Sequence, residues 1–320
     1  MIKLLYPSFW QTRNCFSYLL WPVSKIYQLL GVIRKRYTKP IKFPAKVICV
    51  GNFTVGGTGK TQVVIWLASI LKSKNIKFAI ISKGYGSKLT NAVVVNDTHT
   101  PDEVGDESVL LNKYAKVIAA KRIKQASAII DLIKPEVLIV DDGMQNPAFI
   151  KDFTISVIDS KTGFGNGFLF PAGPLRQLPT DLDNIDAIIG VDGNFRLANL
   201  PIFKATIEPN SHLDKAKKYL AFCGIGNPAR FFLSLENYGA KIVKKEIFPD
   251  HYNYQIKDIK FLQEQAAESN ASLVTTRKDY VKIGSMLSVE CFDVYLSIEN
   301  EQSLIKLIYE KILQKNTTSS

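Results

Sequence analysis

The chain has 320 residues, 46% of them hydrophobic, which is enough for a large core and, at this length, for two lobes. Fifteen of its 41 Lys and Arg precede the first acidic residue, Asp97, leaving 26 to face all 29 Asp and Glu, so the net charge of +12 comes from the N-terminal third. That asymmetry argues against a uniformly basic nucleic-acid binder and for one end facing an anionic surface, while Cys15, Cys49, Cys223 and Cys291, widely spaced with no C-x-x-C pair, exclude a disulfide framework or zinc site.

Met1 to Pro44 interleaves Leu4, Leu5, Phe9, Trp10, Phe16, Leu19, Leu20 and Trp21 with Lys3, Arg13 and Lys25. After Pro22, the residues Val23, Ile26, Tyr27 and Leu30 share a helical stripe, and Arg34-Lys35-Arg36 follows. The pattern predicts an interfacial anchor, its stripe in the headgroup boundary and its basic cluster on the phosphates of anionic lipids. Lys25 is the only charge from 15 to 33, but with Pro22 it sits near the centre and counts against a full span. No small-residue cleavage site marks a secretory signal, and no recognition helix marks nucleic-acid binding. The competing reading is an amphipathic helix pair packed on the core.

Residues 47 to 61 read as an apolar strand entering a glycine-rich loop, Thr54-Val55-Gly56-Gly57-Thr58-Gly59-Lys60-Thr61. Such a loop turns successive N–H groups toward phosphate oxygens, Lys60 reaches the terminal phosphates, and the Thr61 hydroxyl can hold Mg²⁺. Thr54 stands where the usual pattern has its first glycine. The sequence therefore predicts a site for a nucleoside triphosphate rather than a structural glycine-rich turn.

Beyond the loop, 78–82, 92–95, 116–119, 137–140 and 155–158 read as strands, and 61–71, 106–114 and 121–134 as helices. Their alternation predicts an α/β fold: a mainly parallel P-loop NTPase-type sheet flanked by helices, with ligands at the carboxyl ends of the strands. A Gly- and Pro-rich passage spans 163–179. A second set follows: strand 219–223, helix 228–238, strand 241–247, helix 256–269, strands 272–275 and 292–298, and a helix near 302–314. The expected division is an anchor over 1–44, a nucleotide-binding core over 45–200 and a smaller α/β lobe over 201–320, with 316–320 a loose tail.

The run Val137-Leu138-Ile139-Val140-Asp141-Asp142-Gly143 ends a buried strand in two carboxylates, an arrangement that can hold Mg²⁺ opposite Thr61. Adjacent strand residues face opposite ways, so one of Asp141 and Asp142 should reach the metal, and the pattern leaves open which. Transfer of a phosphoryl group to a hydroxyl also needs a proton acceptor, for which Asp106 and His251 are candidates. Read alone, Asp106 would be a helix cap and His251 a turn residue.

Taken together, residues 52–61, Ser82-Lys83-Gly84-Tyr85-Gly86, Gly105-Asp106-Glu107, Asp141-Asp142-Gly143-Met144-Gln145, Pro171-Ala172-Gly173-Pro174-Leu175-Arg176, Phe248-Pro249-Asp250-His251 and Thr275-Thr276-Arg277-Lys278-Asp279 resemble the motifs of the tetraacyldisaccharide 4′-kinase family, the membrane-associated lipid A kinases of Gram-negative bacteria. The resemblance covers essentially the whole chain, in the family's order. It implies transfer of the γ-phosphoryl group of ATP, with Mg²⁺, to the 4′-hydroxyl of a lipid A disaccharide 1-phosphate precursor at the cytoplasmic face of the inner membrane, with no nucleic acid and no obligate protein partner. It also implies Asp106 as catalytic base, assisted by His251, with Lys60 on the phosphates. Lys83 replaces a common Arg, Asn146 a common His and Arg277 a common Glu, which removes a planar phosphate fork at 83 and proton transfer at 146. Two rivals share the phosphate loop: a ligase acting on a soluble acid, and an ATP-driven membrane-associated partition protein.

Overall fold

A computed structural model describes residues 7–180, 185–197, 200–283 and 286–312. Chain order begins with α1 (Cys15–Tyr37), β1 (Lys46–Gly51), α2 (Lys60–Ser73), β2 (Phe78–Ser82), β3 (Val93–Val94), α3 (Pro101–Val104), α4 (Asp106–Asn112), β4 (Val117–Ala119), α5 (Ser127–Ile133), β5 (Val137–Asp141), β6 (Phe153–Asp159), β7 (Ala187–Val191) and β8 (Ile202–Pro209). It continues with β9 (Lys218–Cys223), α6 (Pro228–Tyr238), β10 (Lys241–Ile247), α7 (Ile256–Glu268), β11 (Ser272–Thr276), α8 (Arg277–Ile283), β12 (Glu290–Phe292), β13 (Val294–Ile298) and α9 (Glu301–Ile312).

Nine strands form one sheet in the order β13-β8-β7-β6-β1-β5-β2-β4-β3, parallel throughout except at its two edges, where β3 and β13 run antiparallel to their neighbours. The central strands are apolar on both faces because helices cover both. Ile48 and Val50 face Val63, Leu67 and Leu71 of α2 and Leu304 and Ile308 of α9, while Val47 and Cys49 face the α5 side with Ile130. A second sheet, β10-β9-β11-β12, is wholly parallel. Phe231, Phe232 and Leu235 of α6 pack on one of its faces, and Ile259 and Leu262 of α7 on the other.

Several sequence expectations need correction. Residues 201–320 do not all build the smaller sheet: β8, β13 and α9 complete the larger one, so the second sheet is an excursion between Pro209 and Val294. The single strand expected over 292–298 is two strands in different sheets, separated by Asp293, whose carbonyl accepts from Asn210 N–H at 2.8 Å and from Ser211 Oγ at 2.9 Å. The helix expected over 121–134 is a 3₁₀ turn, Ile123–Ala126, followed by α5.

At the N-terminus, the helix starts at Cys15 under an Asn14–Ser17 capping box and runs straight through Pro22. Trp10, expected in the anchor, is buried, and its indole N–H donates to Pro171 carbonyl at 2.9 Å. Ser24 donates to Leu169 carbonyl at 2.8 Å, so one narrow face of α1 is stitched to the 166–172 loop. The remainder exposes Phe16, Leu19, Ile26, Leu29, Leu30 and Ile33. No helix among the described residues is long and apolar enough to cross a membrane. Lys3, Leu4, Leu5 and the 316–320 tail lie outside the described residues.

Candidate active site

The phosphate loop leaves the carboxyl end of β1 and enters α2 at Lys60. Gly56 (φ 115°) and Gly59 (φ 101°) adopt the left-handed conformations that the loop's turns require. Gly59 caps α2 without a side-chain hydrogen bond, so the first N–H groups of the helix remain available to an anion. The loop is braced from behind: Val55 N–H donates to Pro174 carbonyl at 2.8 Å, and Arg176 N–H to Phe53 carbonyl at 2.7 Å.

Parallel pairing of β1 with β5 sets Val50 beside Asp141, bringing the acidic strand end to the loop's mouth. The two aspartates differ sharply. Asp141 ends the strand, buried, with Oδ1 lacking a hydrogen-bond partner. Burial, reinforced by the charge of Glu107, outweighs Lys60 and pushes its carboxyl up to about 8. Asp142 lies past the strand in a left-handed turn (φ 51°), where Arg176 Nη1 reaches both its oxygens at 2.9 Å and Lys60 and Lys83 approach within 3.6 and 3.7 Å. Burial alone would raise its pKa, but Lys60, Arg176 and Lys83 together hold it well below the usual carboxylate range. The unpartnered Asp141 oxygen beside the phosphate loop and the Thr61 hydroxyl is the kind of hard oxygen donor that fits Mg²⁺.

Across the cleft, α4 opens with Asp106. Its carboxylate accepts from Glu107 N–H at 2.8 Å, and both its oxygens lie 3.0 Å from His251 Nδ1. The bend before it depends on Gly105 (φ 90°), where a Cβ would fall 2.8 Å from Gly84 Cα; close packing of these two turns brings Tyr85 near Asp106. The Tyr85 ring lies 4.8 Å from the His251 ring. Burial would raise the Asp106 pKa, yet the hydrogen bond from His251 and the charges of Lys278 and Lys282 hold it far below normal.

Residues 145 apart in sequence meet in this pair because the second sheet leans over the first. A Cβ on Gly226 would fall 2.9 Å from Gly57 N and 3.1 Å from Asp250 Oδ2, so the 224–227 turn fits tightly between the phosphate loop and the His251 turn. Arg230 of α6 reaches Asp159 Oδ2 at 2.5 Å, Asp192 Oδ2 at 2.9 Å and Gly57 carbonyl at 3.5 Å.

The expected residues thus fall into one cleft: Lys60 and Thr61 start α2, Asp141 ends β5 with Asp142 just past it, and Asp106 meets His251. Sequence reasoning missed Arg230, Asp159 and Asp192, and gave Lys278, Lys282 and Glu107 no role. Only Lys278 and Lys282, i and i+4 on a short helix, left a signal, and nothing local names their partner. The three departures have local accounts: Lys83 joins Asp142, Asn146 Oδ1 accepts from Ala148 N–H at 3.1 Å, and Arg277 Nε donates to Asp293 at 2.6 Å. All four cysteines are free.

A family model described as LpxK, tetraacyldisaccharide-1-P 4′-kinase, matches residues 16–313. The tetraacyldisaccharide 4′-kinase of Rickettsia canadensis (strain McKiel) is 54% identical over 97% of this chain and 98% of its own length. That of Rickettsia felis is 52% identical over 97% and 98%. Among solved structures, the "apo" form of LpxK from Aquifex aeolicus in complex with ATP superposes with a TM-score of 0.78 at 29% identity, covering 92% of this chain and 99% of that one. A family model spanning residues 16–313 and relatives more than half identical over nearly the whole length show that this chain belongs to the tetraacyldisaccharide 4′-kinase family.

Proposed function

We infer that this chain moves the γ-phosphoryl group of ATP onto the 4′-hydroxyl of a tetraacylated glucosamine disaccharide 1-phosphate, the 4′-phosphorylation of lipid A synthesis, with Asp106 taking the hydroxyl proton. The observation that carries this reading is the buried Asp106 paired with the half-buried His251, opposite a phosphate loop whose helix begins at Lys60. The acceptor O–H bond breaks toward the Asp106 carboxylate as its oxygen bonds the γ-phosphorus, and ADP leaves with the electrons of the broken P–O bond. The loop N–H groups and Lys60 hold the phosphates, and Lys83 and Arg176 add positive charge where the triphosphate ends.

Thr61 and Asp141 would hold Mg²⁺, with Asp142 positioning Lys60 and Arg176 beside it. When bound, the ion supplies charge neutralisation at the transferring phosphate. The acyl chains of the acceptor keep it in a bilayer, so the enzyme must work at the interface. The exposed apolar face of α1 and its Arg34-Lys35-Arg36 end suit the cytoplasmic face of an anionic inner membrane.

The test is γ-labelled ATP with Mg²⁺ and a lipid A disaccharide precursor presented in detergent micelles. Label should enter the lipid, and Lys60→Ala and Asp106→Ala should each lower turnover at least a hundredfold while keeping the far-UV circular dichroism of the parent. Label recovered only as free phosphate would remove the kinase reading, and near-normal turnover by either variant would remove that residue's role.

A further inference from the structure

The buried residues of α1 are Ser17 and Ser24, two turns apart on one stripe, while Phe16, Leu19, Ile26 and Leu30 stand 59–74% exposed. A core-packed amphipathic helix has the opposite arrangement. Ser17 closes the cap with Asn14, and Ser24 binds the 166–172 loop: its Oγ donates to Leu169 carbonyl at 2.8 Å and accepts from Ala172 N–H at 3.1 Å. Ahead of the helix, the Trp10 indole donates to Pro171 carbonyl at 2.9 Å, and Trp10 carbonyl accepts from Asn166 N–H at 2.7 Å. Tyr18 meets Phe168 and Tyr27 meets Phe170 edge-on, with ring centres 5.6 and 5.9 Å apart, which opposes rolling of the helix about its axis.

The loop itself is stiff. Asn166 Nδ2 donates to the Phe9 and Ala172 carbonyls at 2.9 Å each, its Oδ1 accepts from Phe168 N–H at 2.9 Å, and Gly173 N–H donates to Leu169 carbonyl at 3.0 Å. A Cβ on Gly173 would collide with Asn166 Oδ1 and the Phe168 carbonyl. From there the chain passes straight to the nucleotide site. Leu175 bridges to Thr54, Pro174 carbonyl and Arg176 N–H hold Val55 and Phe53, and the Arg176 side chain reaches Asp142. Arg176 follows Leu169 by seven positions, which even fully extended span no more than about 25 Å.

We propose that α1, the 166–172 loop and the phosphate loop form one rigid body, so that docking of α1 on a bilayer sets the height and tilt at which the γ-phosphate meets a membrane-borne hydroxyl. Trp10, Ser24 and Asn166 are positioning residues in this scheme and touch neither phosphate nor sugar. The proposal rests on the kinase reading and on α1 as the membrane contact. Its physical basis is the narrow tolerance of the transfer: reacting atoms must come within about 3–3.5 Å, and a misplacement of about 1 Å can cost about a hundredfold. Acyl chains hold the acceptor's hydroxyl at headgroup level, so the enzyme has to bring its phosphate to that level. A helix on a slack tether would keep the enzyme at the membrane without aiming it.

The experiment compares the parent, Ser24→Ala, Trp10→Phe and the surface triple variant Leu19→Ser/Ile26→Ser/Leu30→Ser on two acceptors. One is the tetraacylated disaccharide 1-phosphate in anionic vesicles, the other a water-soluble short-acyl analogue. Ser24→Ala and Trp10→Phe should float with vesicles as the parent does, yet lose about tenfold in kcat on the vesicle-borne acceptor, a loss that added vesicles do not restore. On the soluble analogue their kcat, and their KM for ATP, should stay within about twofold of the parent, because the 174–176 braces remain. The surface triple variant should show the reverse, a loss at low vesicle concentration that added vesicles restore. Equal losses on both acceptors, or a loss on neither, would overturn the proposal. Energy transfer from a bound fluorescent ATP analogue to headgroup-labelled lipid needs neither a variant nor turnover: the parent should give a single height above the bilayer, and a broad spread of heights would also overturn it. A parent that labels neither acceptor would instead bring down the kinase reading, and a parent that does not float would bring down α1 as the contact.

Discussion

His251, Asp142 and Asp192 share a backbone setting that side chains other than glycine rarely adopt, with φ of 57°, 51° and 59°. Each lies in the cleft, where it holds a charge partner: His251 on Asp106, Asp142 on Lys60, Lys83 and Arg176, and Asp192 on Arg230. Residues held in sparsely populated conformations cost of order 1–3 kcal/mol each, and the surrounding ion pairs are what hold them there. The residue scale also sets a pH dependence. Asp106 and Asp142 both have folded-state pKa values below their ordinary ones, so each contributes stability that is complete above about pH 4, near the unfolded carboxylate value, and is lost as pH falls through the lower folded values. Thermal melts of the nucleotide-free protein should therefore drop steeply from pH 5 to 3. Asp106→Asn should flatten part of that slope, and parallel slopes for parent and variant would show that Asp106 is not held ionised by folding. The chemistry-bearing residues were legible in the sequence because their motifs are local. Their assignment was not: nothing in Asp141-Asp142 tells which is stripped of partners and which is wrapped by three cations.

Elements came through where periodicity was strong. Residues 228–238 and 241–247 carry clear 3.6- and 2-residue patterns, and α6 and β10 have those bounds. β7 and β8 went unread because β7 is short, interrupted by Gly190 and preceded by a proline-rich passage, while β8 alternates only weakly before Pro209. Pro22 lies inside α1 without ending it. It forfeits the bond its N–H would give Tyr18 carbonyl, but Ser24 and its partners in the 166–172 loop hold the helix on course. The amphipathic pattern of α1 fits either a core or a membrane surface, and the structure divides it between them. Deleting the segment would remove Trp10 and Ser24 from the body, so substitution is the cleaner test. Leu19→Ser with Ile26→Ser and Leu30→Ser should weaken flotation with anionic vesicles at least tenfold, each full burial forgone being worth about 1.5–3 kcal/mol. The melting temperature should stay unchanged, because these side chains are 59–74% exposed. Undiminished flotation would remove α1 as the contact.

At the scale of the whole molecule, the class was legible and the partition was not. Alternating strands and helices announced a parallel sheet, but a sequence scanned from left to right cannot show that the chain leaves one sheet at Pro209 and returns to it at Val294. At the phosphate loop the smaller body is tied to the larger through Arg230, which holds Asp159, Asp192 and the Gly57 carbonyl, while His251, Lys278 and Lys282 make a separate set of contacts to Asp106. Arg230→Gln should loosen α6 from the phosphate loop. We expect a several-fold higher KM for ATP and a larger share of label released as free phosphate than delivered to lipid, since a site that closes poorly admits water. An unchanged partition between the two products would show that this tie does not govern closure. The return at Asp293 has a consequence of its own. Entry and exit of the excursion are hydrogen-bonded neighbours, Asn210 to Asp293, so the smaller sheet hangs from a paired stem as a guest within its host. A module on such a stem can be lengthened or replaced without rethreading the host, so the strands that hold the phosphate loop keep their order whatever becomes of the part that carries His251.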